Sequence, residues 1–267
     1  MAYTSAKRTF NVPRTESAAC SVKLMIPDPT TSRPTVVSVE KLQAGYGRKQ
    51  VVFDVDLHVA EGEIVSIVGA NGAGKTTTLK TIYGILPALG GTITYRGENT
   101  TKAFVTKNNA RGMSLVPAER FVFGELTVRD NLLLGALHER SAAERAAQWK
   151  LVHDLFPILA ERSTQKAATL SGGQQRMASL ALALMSRPKL LLLDEPALGL
   201  APAIIIELFA AIRKLADETG LSVIILEQNI GQALRVTDRF YVMRAGRIIL
   251  EQTNAQMRAR KDYWDLF

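Results

Sequence analysis

Cysteine is almost absent from this 267-residue chain, and the single Cys20 can form neither an internal disulfide nor a paired-cysteine metal site. A reducing compartment is the expectation that follows. Histidine is nearly as scarce: the three residues at positions 58, 138 and 153 have no ligand spacing, so structural zinc is not expected. Aromatic residues make up only 6%, and no run of Lys and Arg is interleaved with them. Despite a formal charge of +8, nucleic acid is therefore not an expected partner, and the positive excess equally suits an anionic membrane face. Apolar runs such as Leu190 to Leu193 and the broken stretch from Leu180 to Met185 fall far below the roughly 20 residues of a membrane span. The opening MAYTSAKRTF has no apolar signal region, so export is not expected.

What is present is a core composition, 47% hydrophobic and rich in Leu, Ile, Val and Ala. The length suits one α/β domain divided into lobes. Residues 1–34 carry Pro13, Pro27, Pro29 and Pro34 among Ser and Thr, and read as a loosely ordered extension or an arm against a partner. VVSVEKLQAGY and VVFDVDLHV alternate like paired strands, and EIVSIV is a nearly continuous apolar strand leading into a glycine loop and helix. GGTITYRG and MSLVP read as further strands. From Val128 to about Arg162 the pattern turns helical, with Pro157 interrupting it. A helix at 174–186, the strand LLLLD, a helix at 202–219, the strand SVIILE, a helix near 229–236 and a strand pair at 239–250 complete the α/β pattern, Gly246 supplying the last turn. MRARKDYWDLF reads as a short helix carrying Trp264 and Phe267 into a groove, or as a surface tail.

Three segments carry chemistry. Gly69-Ala70-Asn71-Gly72-Ala73-Gly74-Lys75-Thr76 spells G-x-x-x-x-G-K-T between a strand and a helix. Its glycines let backbone N–H groups curve around a β-phosphate, Lys75 supplies charge for the β- and γ-phosphates, and the Thr76 hydroxyl suits Mg²⁺. LLLLDEP at 190–196 delivers Asp194 to a strand end, where it can hold Mg²⁺, with Glu195 beside it to polarise an attacking water. LSGGQQR at 170–176 offers Ser171 and the N–H groups of Gly172 and Gly173 to a γ-phosphate, but far along the chain from the first loop. A partner supplying this surface across a shared nucleotide is the economical arrangement.

On these motifs the chain resembles the ATPase subunits of ABC transporters, whose signature is LSGGQ, over roughly residues 36–251. The resemblance implies a P-loop fold with a RecA-like core, an antiparallel β subdomain and an inserted helical subdomain at about 125–175. It implies an ATPase domain at 35–251 followed by a tail at 252–267. It also implies ATP and Mg²⁺ as ligands, Glu195 as general base, Ala197–Pro202 as a dimer-facing loop, Tyr46 against adenine, and Gly69, Asn71, Gly72, Gly74, Lys75, Thr76 and Thr77 around phosphate. Ser171, Gly172 and Gly173 would come from the opposite subunit of a head-to-tail pair. More finely, AGYGRKQVVFDVDLHVAEGEIVSIVGANGAGKTT, LVPAERFVFGELTVRDNL and IILEQN resemble the second ATPase of importers for branched-chain amino acids, urea or short amides. That branch implies a peripheral place on the cytoplasmic membrane face, two permeases, a second ATPase, favoured over a homodimer, and an external solute-binding protein. It also puts Gln228 where most relatives carry a switch histidine. Gln can donate a hydrogen bond toward phosphate but takes up no proton near neutral pH.

Three departures stand out. The branch usually reads VPEGR where this chain has Val116-Pro117-Ala118-Glu119-Arg120. Either Glu119 reaches the metal-bound water by a local shift, or metal coordination is weaker and coupling to membrane partners has changed. Gly124 stands in place of a usual proline, which adds backbone freedom. EQT replaces a glycine-containing turn, where Gln252 disfavours positive φ.

Overall fold

The computed structural model describes residues 33–119, 122–137, 141–263 and 266. Two long strands come first, β1 (Thr35–Tyr46) and β2 (Lys49–Ala60), antiparallel and paired from Thr35 opposite Ala60 to Tyr46 opposite Lys49, with register shifts along the way. Then follow β3 (Ile64–Val68), α1 (Lys75–Tyr83), β4 (Ala88–Tyr95), β5 (Glu98–Asn99), α2 (Val105–Ala110) and β6 (Met113–Val116). The helical run is α3 (Val128–Gly135), α4 (Ala142–Leu155), α5 (Pro157–Glu161) and α6 (Gly172–Leu184). The chain closes with β7 (Leu190–Asp194), α7 (Pro202–Thr219), β8 (Ser222–Glu227), α8 (Ile230–Ala233), β9 (Arg239–Arg244), β10 (Arg247–Thr253) and α9 (Asn254–Arg258).

The strands form two sheets. An antiparallel one runs β2-β1-β4-β5, and a second runs β10-β9-β3-β8-β7-β6, parallel throughout except for β10 at its edge. The centre of the second sheet is buried on both faces, which is why β7 and β8 read as unbroken apolar runs. Leu191, Leu193, Val223 and Ile225 point into a core shared with α3, α6 and α7. Leu190, Leu192, Ile224 and Leu226 point into the other, shared with α1 and the antiparallel sheet.

Local chemistry sets several boundaries. Pro157 occupies the first turn of α5, where its missing N–H costs nothing, so the interruption in the helical pattern is the start of a new helix. The helix expected from 174 begins at Gly172, because Ser171 caps it: its hydroxyl accepts from Gln174 N and the Gln174 side chain accepts from Ser171 N. The helix expected near 229–236 is only Ile230–Ala233, capped by the Asn229 side chain. Gln252 lies inside β10, which runs on to Thr253, so no turn forms there. Gly124 is closed in rather than free: its carbonyl accepts from Ala168 N at 3.0 Å, and a Cβ at this position would stand 3.2 Å from that of Ala168. Met257 and Leu266, in the segment expected as a tail, are buried with Val68, Phe240 and Val242. Residues 1–32 of the extension expected at 1–34, and Trp264 and Phe267, lie outside the described residues.

Leu192 is fully buried in the middle of β7. Leu192→Ala is expected to destabilise the protein by about 3 kcal/mol through lost transfer energy and the cavity left behind, read as a lower urea midpoint.

Candidate nucleotide site

In an open parallel sheet the ligand cleft forms beyond the carboxyl ends of the strands. Here that edge gathers the loop after β3, Asp194 at the end of β7, Glu227 at the end of β8 and Pro117 just beyond β6. The loop after β3 has its conformation forced by close approach. A Cβ at Gly69 would fall 2.2 Å from the Met243 carbonyl oxygen, and Gly74 holds φ +108 against the Met243 side chain. Gly72, at φ +79, has open space around it, and Asn71 is exposed. The first N–H groups of α1 are thus presented outward at a helix N-terminus, which favours an anion.

Lys75 is buried, its ammonium donating to the carbonyl oxygens of Gly69 at 2.7 Å and Ala70 at 3.1 Å and lying 3.7 Å from Glu195 Oε1. Burial lowers its pKa, with the nearby carboxylates of Glu195 and Asp194 opposing the shift. The Thr76 hydroxyl donates to Asp194 Oδ1 at 3.2 Å. Desolvation raises the pKa of the Asp194 carboxyl, with Thr76 partly offsetting it. A hydroxyl and a buried carboxylate converging beside a phosphate loop fit a Mg²⁺ that keeps waters and phosphate oxygens as its other ligands. Thr77 is buried in the first turn of α1, where its carbonyl accepts from the Thr81 hydroxyl.

Glu195 sits in the left-handed region at φ 46, a conformation that is uncommon for a residue with a side chain and that marks stored strain. Neighbouring elements hold it there. Its N–H donates to Leu226 O at 3.0 Å, and its Oε1 accepts from Gln228 Nε2 at 2.7 Å. Arg176, in α6, donates to the carbonyls of Asp194, Glu195 and Pro196 on one side and of Pro117 and Glu119 on the other. This joins the 117–119 segment to the acidic strand end through the Glu119 backbone, while the Glu119 residue itself is exposed.

The expected residues therefore fall into two groups. Gly69, Gly72, Gly74, Lys75, Thr76, Asp194, Glu195 and Gln228 are brought to one edge of the sheet. Ser171, Gly172 and Gly173 form the first turn of α6, with Ile204 packed against Gly173, and the hydrogen bonds of Ser171 stay within its own capping box. Tyr46 is 48% exposed at the end of β1. Its hairpin lies beside the loop, because the carbonyl of Val51 would stand 3.5 Å from a Cβ on Gly74 and Phe53 N donates to Gly246 O at 2.8 Å. Two residues escaped the sequence reading. Arg176 stood inside LSGGQQR, and the only signal for Glu227 is that it is the one charged residue of SVIILE, at its end.

Fold and site together define a P-loop nucleoside triphosphatase. The family model described as ABC transporter matches residues 52–198. The chain is 44% identical over 222 residues to the high-affinity branched-chain amino acid transport ATP-binding protein BraG of Pseudomonas aeruginosa, a match covering 83% of this chain and 94% of that one. It is 34% identical over 213 residues to the probable branched-chain amino acid transport ATP-binding protein LivF of Archaeoglobus fulgidus, covering 80% and 90%. To the lipopolysaccharide export system ATP-binding protein LptB of Escherichia coli it is 34% identical over 223 residues, covering 83% and 92%. A solved ATP-binding subunit of an ABC transporter aligns with a TM-score of 0.75 at 28% identity over 86% of this chain and 97% of that one. A nucleotide-free ATP-binding cassette aligns at 0.76 and 24% identity, covering 84% and 94%, and shares the fold. The chain belongs to the ABC transporter family, as an ATP-binding subunit that hydrolyses ATP.

Glu227 gives the site a measurable pH signature. Burial raises its pKa from 4.5 to about 7, partly offset by the hydrogen bond from the Ala197 backbone and reinforced by the charge of Glu195. A carboxyl that binds its proton more tightly when folded contributes stability below its unfolded pKa and loses that contribution as pH rises through the folded value. Glu227→Gln lacks this loss. Its stability relative to the unsubstituted protein should therefore rise between pH 5 and pH 8, by up to about 3 kcal/mol, in paired urea titrations.

Proposed function

We propose that this chain is the ATP-hydrolysing motor of an importer for a small polar or amino-acid-like solute, working at the cytoplasmic face of the membrane. The observation that carries the catalytic part is the meeting of Thr76 with Asp194, and of Lys75 and Gln228 with Glu195, at one sheet edge. Lys75 and the loop amides hold the β- and γ-phosphates, and Tyr46 stacks on adenine. Mg²⁺, held by Thr76 and Asp194 with Glu119 as a further ligand, would neutralise charge on the phosphate oxygens. Glu195 accepts a proton from the attacking water as general base, and Gln228, already bonded to the same carboxylate, orients it and senses the γ-phosphate. Ser171, Gly172 and Gly173 serve the nucleotide of a second ATPase subunit, a related chain or a second copy. The division into an extension at 1–34, an ATPase domain at 35–251 with a helical part near 125–175, and a tail at 252–267 belongs to the same reading.

The import direction draws support from the similarity to BraG and LivF, whose names state branched-chain amino acid transport. By the same logic two permeases and an external binding protein complete the assembly, and solute choice lies with them. Among the described residues no helix is long and apolar enough to cross a membrane, which leaves the passage itself to partners. The similarity to LptB, named for lipopolysaccharide export, carries the alternative direction.

Two measurements test this. Mass spectrometry of proteins copurified from gently solubilised native membranes should recover two multi-helix permeases, a second ATPase and a binding protein. Recovery of lipid-export components, or of no membrane protein at all, would sink the importer reading. Glu195→Gln should keep ATP affinity within about twofold while turnover falls at least about 100-fold, the scale of a lost general base.

A further inference from the structure

The last two residues of β8, Leu226 and Glu227, and Gln228 just beyond it grip the segment that follows β7 through three hydrogen bonds. Leu226 O accepts from Glu195 N at 3.0 Å, Glu227 Oε1 accepts from Ala197 N at 3.1 Å, and Gln228 Nε2 donates to Glu195 Oε1 at 2.7 Å. The middle contact is unusual chemistry for its place. Glu227 is 4% exposed at the end of a buried strand whose other residues are Ser222 and four apolar ones, flanked in the sheet by Val68 and directed at a backbone amide of the loop that opens just beyond Glu195. A carboxyl so placed carries a desolvation cost that a smaller hydroxyl or an apolar side chain would avoid. What it achieves here is a long reach from the sheet to one particular N–H.

That N–H lies two residues beyond Glu195, inside the turn that follows it. The Glu195 backbone is held at φ 46, and the turn beyond it is closed by Leu198 N donating to Glu195 O and Leu200 N to Ala197 O. With Arg176 occupying the carbonyls of 194–196, Glu227 supplies the opposing hold on the amide side, at the residue where the turn leaves the sheet. The charged groups that act on Glu227 include Glu195 on the same segment, Arg176 from α6 and Lys75 of α1.

We infer that Glu227 is a positioning residue for hydrolysis: by accepting the Ala197 N–H it fixes the turn at 195–198 and thereby the orientation of the Glu195 carboxylate toward the attacking water. The inference rests on Glu195 as the general base, and it assigns to Glu227 no contact with nucleotide. What the position needs is an acceptor oxygen of the right reach, so an amide serves as well as a carboxyl. Binding energy from the phosphate loop is independent of this hold, whereas alignment of a reacting group is sensitive to displacements of about 1 Å.

The test compares the unsubstituted protein with Glu227→Gln and Glu227→Met, measuring ATP turnover, ATP affinity and amide hydrogen exchange at Ala197. Glu227→Gln should turn over within about threefold of the unsubstituted protein, and Glu227→Met should fall at least about 30-fold, with ATP Kd within about twofold in all three. Exchange at the Ala197 amide, read without nucleotide, should quicken about tenfold or more in Glu227→Met and stay unchanged in Glu227→Gln. Equal turnover, or equal Ala197 protection, in Glu227→Met overturns the inference. So does a loss of ATP affinity that parallels the loss of turnover, or a Glu227→Gln variant as impaired as Glu227→Met. Should Glu195→Gln keep full turnover while the Ala197 result holds, the assignment of the general base fails and the hold on the turn stands.

Discussion

Everything at the nucleotide edge depends on how the backbone of residues 194–197 is held. A parallel strand that ends at the sheet's rim leaves the peptides after it without ladder partners, and buried peptides without partners are costly. This chain resolves that from two directions. β8 takes the amides of Glu195 and Ala197, and Arg176 takes the carbonyls of Asp194, Glu195 and Pro196. The strained φ of Glu195 persists because both sides of its peptide are occupied. The two holds meet at Glu195, whose carboxylate lies 3.7 Å from the Lys75 ammonium.

The same guanidinium reaches the carbonyls of Pro117 and Glu119, so one side chain of the helix headed by Ser171 ties three regions together. A planar fork with five donors suits that task, and a lysine in its place would offer a single point of contact. The segment that continues beyond Glu119 is stitched in its turn. Asn131, fully buried, accepts from Phe123 N and donates to Phe123 O and Thr127 O, while Val128 N and Ala167 N bond across to Gln165 and Leu126. Through Arg176, α6 is tied by hydrogen bonds both to the acidic strand end and to Pro117 and Glu119.

Much of this was legible in the residues because apolar burial on both faces leaves so plain a trace. LLLLD, SVIILE and the helix at 202–219 occupy the spans their patterns indicate, and the phosphate loop lies between strand and helix as its spelling requires. Boundaries governed by single hydrogen bonds were harder to read. Gly172 and Gly173 suggest a loop by propensity, but the capping box of Ser171 and Gln174 draws them into α6. Arg176 and Glu227 were hidden for a different reason. Both act on backbone atoms of distant segments, and backbone atoms have no sequence of their own to point back at them. The reach of Glu119, set by a departure at a single position, is likewise a matter of local geometry that residue types alone leave open.

Gly246 joins the two sheets through a single residue. Its N–H donates to Ala73 O in the phosphate loop and its carbonyl accepts from Phe53 N in β2, both at 2.8 Å. At φ +79, with Val51 O only 2.1 Å from where a Cβ would stand, the position admits no side chain. The loop that grips phosphate and the hairpin that carries Tyr46 are consequently set apart by a fixed spacing. For a lineage of such chains the turn at 244–247 is a place where length cannot drift: an inserted residue there would break the spacing between the loop after β3 and the β1–β2 hairpin, while surface loops elsewhere remain free to grow.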